Sequence, residues 1–348
     1  MGKKIALGSI GLLLILIAWQ WELVSYGWMQ AKGQLTILWN TKPVADVLAD
    51  PAYPDSLKQK IKLIQEIKRF SIDSLGLDPS GSYESFYDQQ GKPILWVITA
   101  AQPYQLVAQQ WHFPILGTFS YKGFFEKDRA DQQLEELKTE GLDTRVGEVS
   151  AWSTLGFLND PILSSFLARS EGSLAELIIH ELTHGTLFVK NSLEYNENLA
   201  DFVGEYGAAR FLAQKYGPAS VQYKDYEAAK VFYGRYDEHV LKGAQLLDSL
   251  YKSFKPTTSV AIKDSLKWQT IRQIVVSSDT IRDERSQSRV RSVKKGRLEK
   301  LKLPNNAYFI GYLTYRKQQN RFRQEFEKQF NSDFTRYLTY LKQTYPSF

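Results

Sequence analysis

Residues 173–184 read SLAELIIHELTH, and the rest of the chain is best understood outward from them. Residues at i and i+4 of a helix share a face, so the imidazoles of His180 and His184 can reach one ion while Glu181 projects beside it. The helix itself is legible. Ser173-Leu174-Ala175-Glu176 has the form of a capping box, and Leu177, Ile178 and Ile179 supply the apolar run behind it. Downstream stand Glu197, Asp201 and Glu205, again at i and i+4. Asn196 reads as the N-cap of a second helix from about Glu197 to Tyr216, closed by Gly217. Three acids stacked on one face repel one another unless a cation or hydrogen-bond donors lie close.

The pattern predicts a metal centre with His180, His184 and Glu197 as ligands. Two imidazoles and a carboxylate leave a fourth position open, the arrangement of a catalytic zinc and not of a structural one. Glu194 is expected to precede the second helix, and Glu205 lies about 12 Å beyond Glu197 along the axis, so neither is as well placed. Asp201, one turn beyond Glu197, is expected to accept the outer N–H of a ligand histidine and fix its tautomer. The competing reading makes both histidines core residues satisfied by carbonyls, and the acids a solvated stripe. It does not explain why two of only four histidines fall at ligand spacing around a glutamate.

Composition narrows the alternatives. The 348 residues are 43% hydrophobic and 14% aromatic, enough for one large core or two lobes. Cysteine is absent, which excludes disulfides and thiolate ligands. The formal charge is +6, with much of the excess between Arg285 and Lys302. That run reads as a solvated face, with anionic lipid as the lesser alternative. Nucleic acid is not an expected partner, because no recognition motif accompanies the charge. Ile5 to Trp21 is uncharged and mainly apolar, preceded by Lys3 and Lys4 and followed by Trp28. Residues 1–28 are therefore expected to form a membrane anchor, with the remaining chain on the exported side, periplasmic or extracellular. A cleaved signal peptide, followed by secretion, is the alternative; Ser25-Tyr26-Gly27 offers it only a poor site among bulky neighbours.

Residues 29–348 are expected to form a single α+β domain, predominantly helical. A mixed lobe with a small sheet would occupy residues 29–170, and a helical, metal-binding lobe residues 171–348. In the first, Leu57 to Phe70 is an amphipathic helix, Ile94 to Ala100 a strand, Phe113 to Phe125 a strand pair or turn, Asp128 to Thr139 a helix and Val146 to Ser153 a strand. The period of Gly33 to Asn40 does not decide between strand and helix. In the second lobe, helices are expected over Ser173–Val189, Glu197–Tyr216, Tyr223–Phe254, Ile262–Arg297 and Tyr308–Tyr345.

These residues resemble the glutamate-zincins. Thermolysin-like peptidases also carry H-E-x-x-H followed by a ligand glutamate with an aspartate four residues later, although they place that glutamate further downstream. A family of bacterial putative aminopeptidases is similar over nearly the whole chain. The likeness includes Gln30-Ala31-Lys32-Gly33-Gln34-Leu35, Trp111-His112-Phe113-Pro114, Tyr121-Lys122-Gly123-Phe124-Phe125, Ser153-Thr154-Leu155-Gly156 with Asp160-Pro161, Asn196-Glu197 with Val203-Gly204, and Asn305-Asn306-Ala307. Many members look like lipoproteins anchored through a cysteine, which this chain lacks. The resemblance implies a zincin-like fold and a zinc peptidase acting on peptides, more firmly than it implies an exopeptidase.

In that chemistry Glu181 is the general base, within reach of the attacking water. An oxyanion donor is expected across the cleft: Tyr315 first, His239 second, with Tyr312 and Arg235 also open. Trp152-Ser153-Thr154-Leu155-Gly156 is the candidate edge strand for pairing with an extended substrate. An aminopeptidase also needs an acid for the substrate's α-ammonium, and Glu148, Glu194 and Glu205 are all open. Endopeptidase action and a non-catalytic envelope scaffold retaining the metal are the competing functions. The sequence does not set the oligomeric state.

Overall fold

A computed structural model of the chain describes residues 11, 18–113, 117–148, 158–278, 281, 303–316 and 319–345. The elements run α1 (Trp21–Trp39), β1 (Lys42–Pro43), α2 (Val44–Ala49), α3 (Asp55–Asp73), β2 (Ser85–Tyr87), β3 (Trp96–Ala101), β4 (Trp111–Phe113), β5 (Gly117–Phe119), β6 (Lys122–Phe124), α4 (Lys127–Thr139), β7 (Asp143–Glu148) and β8 (Ile162–Leu163). A 3-10 turn over Ser164–Ala168 leads to α5 (Glu171–Thr186), α6 (Leu193–Tyr216), α7 (Val221–Lys252), α8 (Val260–Ser277), α9 (Asn306–Arg316), α10 (Gln319–Gln329) and α11 (Phe334–Thr344). The protein is predominantly helical, with short strands gathered before residue 164.

Three small sheets form, ordered β1-β2-β8, β6-β3-β7 and β4-β5. All pairings are antiparallel except β2 with β8. Strand β3 is central in its sheet, and its buried Ile98, Ala100 and Ala101 fit the β-branched, aromatic-rich run Ile94 to Ala100. The largest apolar cluster gathers Ile61, Ile64 and Ile67 of α3, Phe86 of β2, Leu174, Ile178 and Ile179 of α5, Phe202 and Phe211 of α6, and Tyr337 and Leu338 of α11. The metal-motif helix is thus packed from both sides of residue 170. A second cluster joins Val240 and Leu247 of α7, Ile271 and Ile274 of α8 and Phe309 of α9.

Several boundaries move from where the sequence places them. Gly33 to Asn40 belongs to the long helix α1, whose inner residues Met29 and Ile37 are buried. The N-cap of α5 is Ser170, whose hydroxyl accepts from the Ser173 amide, one turn before the expected capping box. Glu176 is taken instead by Tyr226, whose hydroxyl donates to its Oε2 at 2.9 Å. Helix α6 begins at Leu193, so Asn196 is not its cap and Glu194 does not precede it. The expected single helix from Tyr308 to Tyr345 is three, α9 to α11, and Gly217 closes α6 at φ +85 as expected. Among the described residues no helix is long and apolar enough to cross a membrane. Most of Ile5 to Trp21 lies outside those residues, as do the whole of Arg285 to Lys302 and the whole of Trp152 to Gly156.

Candidate metal centre

Helices α5 and α6 run antiparallel and unusually close. A Cβ on Gly204 would stand 2.9 Å from the Glu176 carbonyl oxygen and 3.4 Å from the His180 Cβ, and one on Gly207 would meet Leu75 and Ile179 at 2.7 and 2.8 Å. Glycine at these two positions lets α6 lie against α5, which puts the acids of one helix beside the histidines of the other. Both flanks of Glu197 are then pinned. Asn196 accepts from the Val189 amide and donates to the Val189 carbonyl, both at 2.8 Å, holding the α5–α6 connection. Asn198 donates to the carbonyls of Glu194 and Thr314 at 2.7 and 2.8 Å, tying α6 to α9. Both asparagines are essentially fully buried, where a satisfied side-chain amide fixes its backbone strongly.

The result is a compact donor set. Nε2 of His180 and Nε2 of His184 are 3.2 Å apart, and each faces an oxygen of Glu197, at 3.5 and 3.7 Å. One ligand atom from each of these three residues can be chosen so that all lie within 4.8 Å of one another. Nδ1 of His180 lies 3.0 Å from Oδ1 of Asp201. His184 is buried with its ring edge-on to Phe188, and its Nδ1 has no hydrogen-bond partner among the described residues.

A zinc ion fits this set. Two imidazoles each about 2.0–2.1 Å from one tetrahedral ion have nitrogens about 3.3 Å apart, close to the spacing found here. Electrostatics agree. Glu197 and Asp201 are both buried, and buried carboxylates demand a counter-charge. Among the described residues the imidazoles of both histidines face Glu197, and that of His180 faces Asp201 as well. Burial pulls His180 down, but hydrogen bonds from Asp201 and Glu197 and the charges of Asp201 and Glu181 carry its pKa well above the usual histidine value. Burial, reinforced by the charge of His180, lowers His184 to about 4 against the opposing pull of Glu197. The two rings are thus driven in opposite directions, His180 toward its protonated form and His184 away from it.

Glu181 lies beside this group, and its charge reaches two phenols, the buried Tyr83 and the half-buried Tyr121. Burial raises the hydroxyl pKa of Tyr83, and Glu181 and Asp160 raise it further. Burial likewise raises Tyr121, helped by Glu197 and Glu181 together. Both hydroxyls stay protonated at neutral pH and can act as donors. Tyr121, between β5 and β6, stands in the field of Glu197 and Glu181 and was not among the oxyanion donors that the sequence suggested. It stands far from the metal motif in the chain, and nothing in its local pattern separates it from the other tyrosines.

The remaining candidates fall unevenly. Tyr315 lies in the last turn of α9, directly after Thr314, whose carbonyl holds Asn198 beside Glu197. His239 has another partner: its Nε2 is 2.8 Å from the Ile274 carbonyl, so the ring ties α7 to α8. The Tyr312 hydroxyl accepts from Tyr308 at 3.4 Å. Of the acids considered for an α-ammonium, Glu148 ends β7, Glu194 sits in the first turn of α6, and Glu205 is paired with Arg323 at 3.0 Å. Glu205 also lines a cleft of about 1260 Å³ with Glu176, Tyr226 and Arg169, about one turn from His180 along α5 and two turns from Glu197 along α6.

A family model described as putative aminopeptidase matches residues 25–345. No curated protein and no solved structure matches the chain. The match spans all three donor residues and reaches from α1 to α11, and on its extent the chain belongs to the putative aminopeptidase family.

Proposed function

We propose that the chain is a zinc-dependent peptidase, with His180, His184 and Glu197 holding the ion and Glu181 as general base. The observation that carries this reading is the convergence of two imidazoles and a buried carboxylate from antiparallel helices, with a glutamate beside them that has no role in holding the ion. Bound zinc would supply Lewis acidity and an acidified water. Asp201 orients His180 through Nδ1, which leaves Nε2 as the free donor and raises the basicity of the ring. Glu181 takes the proton of the attacking water and delivers it to the leaving amine. A tyrosine hydroxyl stabilises the developing oxyanion. Tyr121 is supported by its exposure to the charges of both Glu197 and Glu181, and Tyr315 by its place beside the Asn198–Thr314 contact.

The fold is read as zincin-like, and Trp152 to Gly156, outside the described residues, is the stretch proposed to meet the substrate. Residues 1–28 act as a membrane anchor or signal, and the catalytic part faces the exported side. The family supports peptide substrates, and aminopeptidase action is the preferred register over endopeptidase action. The test is hydrolysis of a mixed peptide library by the purified protein, with and without a chelator. Loss of single N-terminal residues that stops on chelation is the expected result. Internal cuts would make the protein an endopeptidase, and zinc bound without any hydrolysis would make it a scaffold.

A further inference from the structure

Helix α1 has two faces with opposite fates. Its inner face is fixed to the sheet side of the protein: the Tyr26 hydroxyl and the Gln30 amide both donate to the Gly123 carbonyl, at 2.8 and 2.7 Å. Arg129 donates to the Ser25 carbonyl at 3.0 Å and to its hydroxyl at 2.9 Å. Gly33 lies so near the Phe125 ring that any Cβ there would overlap it. Met29 and Ile37 complete that face, buried to 2% and 3% exposure. The outer face is apolar and open. Trp21, Val24, Trp28, Leu35 and Trp39 are 62%, 40%, 71%, 42% and 77% exposed. With exposed Ala31 they fall within an arc of about 80° at 3.6 residues per turn, in a stripe about 27 Å long.

From this stripe we infer that α1 lies in the plane of a lipid bilayer's interface and docks the protein flat against the membrane. Residue type argues for lipid over a second copy of the chain. Three of the six positions are tryptophan, whose amphipathic ring favours the headgroup level, whereas a helix-pair seam is built from Leu and Ile. Charge agrees. Glu22, the one acid of α1, lies off the stripe and interacts with Lys122 of the protein body. Lys32 flanks the stripe with its side chain 65% exposed, its ammonium 3.9 Å from Glu126 of the protein body, a loose surface pair that lipid phosphate can compete for. The stripe also begins where the apolar run Ile5 to Trp21 ends, so the chain arrives at the membrane at this helix. An interfacial helix of this kind binds through its apolar area and need not cross the bilayer.

The consequence is positional. Tyr26 packs on Phe113 and Phe124, and Tyr121 lies in the field of Tyr26 as well as of Glu197 and Glu181. The elements beside the metal group are therefore attached to the docked helix, and the protein is suited to peptides presented close to the membrane surface. This surface is independent of the anchor. A tether through residues 5–21 alone would leave the domain free to swing, whereas docking along α1 holds it at one orientation.

The absence of cysteine makes the test direct. Single-cysteine variants of the full chain at two stripe positions, Trp28→Cys and Leu35→Cys, and at the remote, 64% exposed Val260 would carry a nitroxide. The protein would be reconstituted in vesicles of phosphatidylethanolamine and phosphatidylglycerol. Labels at 28 and 35 should be shielded from a polar nickel chelate and reached by oxygen, while the label at 260 shows the reverse. Equal chelate access at all three positions, with the chain still sedimenting with the vesicles, would overturn the docking and leave the anchor standing. Shielding from both reagents together with spin–spin broadening between copies would overturn it in favour of a dimer seam.

Discussion

Two buried polar clusters sit at the ends of α9, and they solve the same electrostatic problem differently. At the start of the helix, Lys267 supplies a built-in cation: its Nζ is 2.6 Å from Oδ2 of Asp143, which also accepts from the Asn306 amide at 2.9 Å. Asn306 in turn donates to the carbonyls of Gln102 and Pro103 and accepts from the Tyr251 hydroxyl. Lys267 is 2% exposed, and the cluster is closed within the protein. At the other end, beyond Thr314, Glu197 faces His180 and His184, and among the described residues these imidazoles are its ion-pair partners. A cluster that contains its own permanent charge is scaffold. One whose carboxylates face ionisable imidazoles is suited to take a cation.

The contrast can be broken most severely at Glu181, which lies beside the metal group without being one of its three donors. Glu181→Gln should lower kcat by about 10²–10⁴-fold while metal content and melting temperature stay at wild-type values. Normal turnover in that variant would remove the proposed base. At the closed cluster the effect should be on stability. Lys267→Met leaves Asp143 buried without its cation and should cost about 3 kcal/mol in denaturant unfolding, with metal still bound. Loss of metal in that variant would mean the two clusters are not separate.

Smaller effects sharpen the metal side. Asp201→Asn should weaken zinc binding by about 10–100-fold, because His180 loses its charged acceptor. The pH dependence follows from the raised pKa of His180. The ring is protonated below that pKa and cannot ligate, so zinc is lost as pH falls and gained as it rises. Affinity should change by about tenfold per pH unit through neutrality, with one proton released per ion. Titration calorimetry in buffers of different ionisation enthalpy would count that proton, and Asp201→Asn should flatten the slope.

How much of this was legible beforehand depended on how local each signal was. The donor set was readable because a helix turns i and i+4 into geometry, so two histidines and two acids could be placed without the fold. The capping errors came from reading side-chain type without competition. Ser173 is a plausible cap until Ser170 is seen to start the helix one turn earlier, and Asn196 is another until Val189 takes both ends of its amide. The helix break between α10 and α11 lies at residues 330–333, where Asn331 and Ser332 adopt positive φ with no glycine to announce it. Tyr121 and the Lys267–Asp143 pair are contacts between residues distant in sequence, for which periodicity carries no signal. His239 shows the converse. It looked available because its partner is a backbone carbonyl, which no side-chain pattern reveals.

The central claim is that the cluster at His180, His184 and Glu197 takes a cation. Its most direct test is the metal content of the purified protein by elemental mass spectrometry, measured beside Glu197→Ala, Glu194→Ala and Glu205→Ala. The account predicts one zinc per wild-type chain, none in Glu197→Ala, and full occupancy in the other two, since Glu205 is committed to Arg323 and Glu194 lies outside the donor set. Zinc retained in Glu197→Ala, or a wild-type protein that stays metal-free after incubation with zinc, would contradict it.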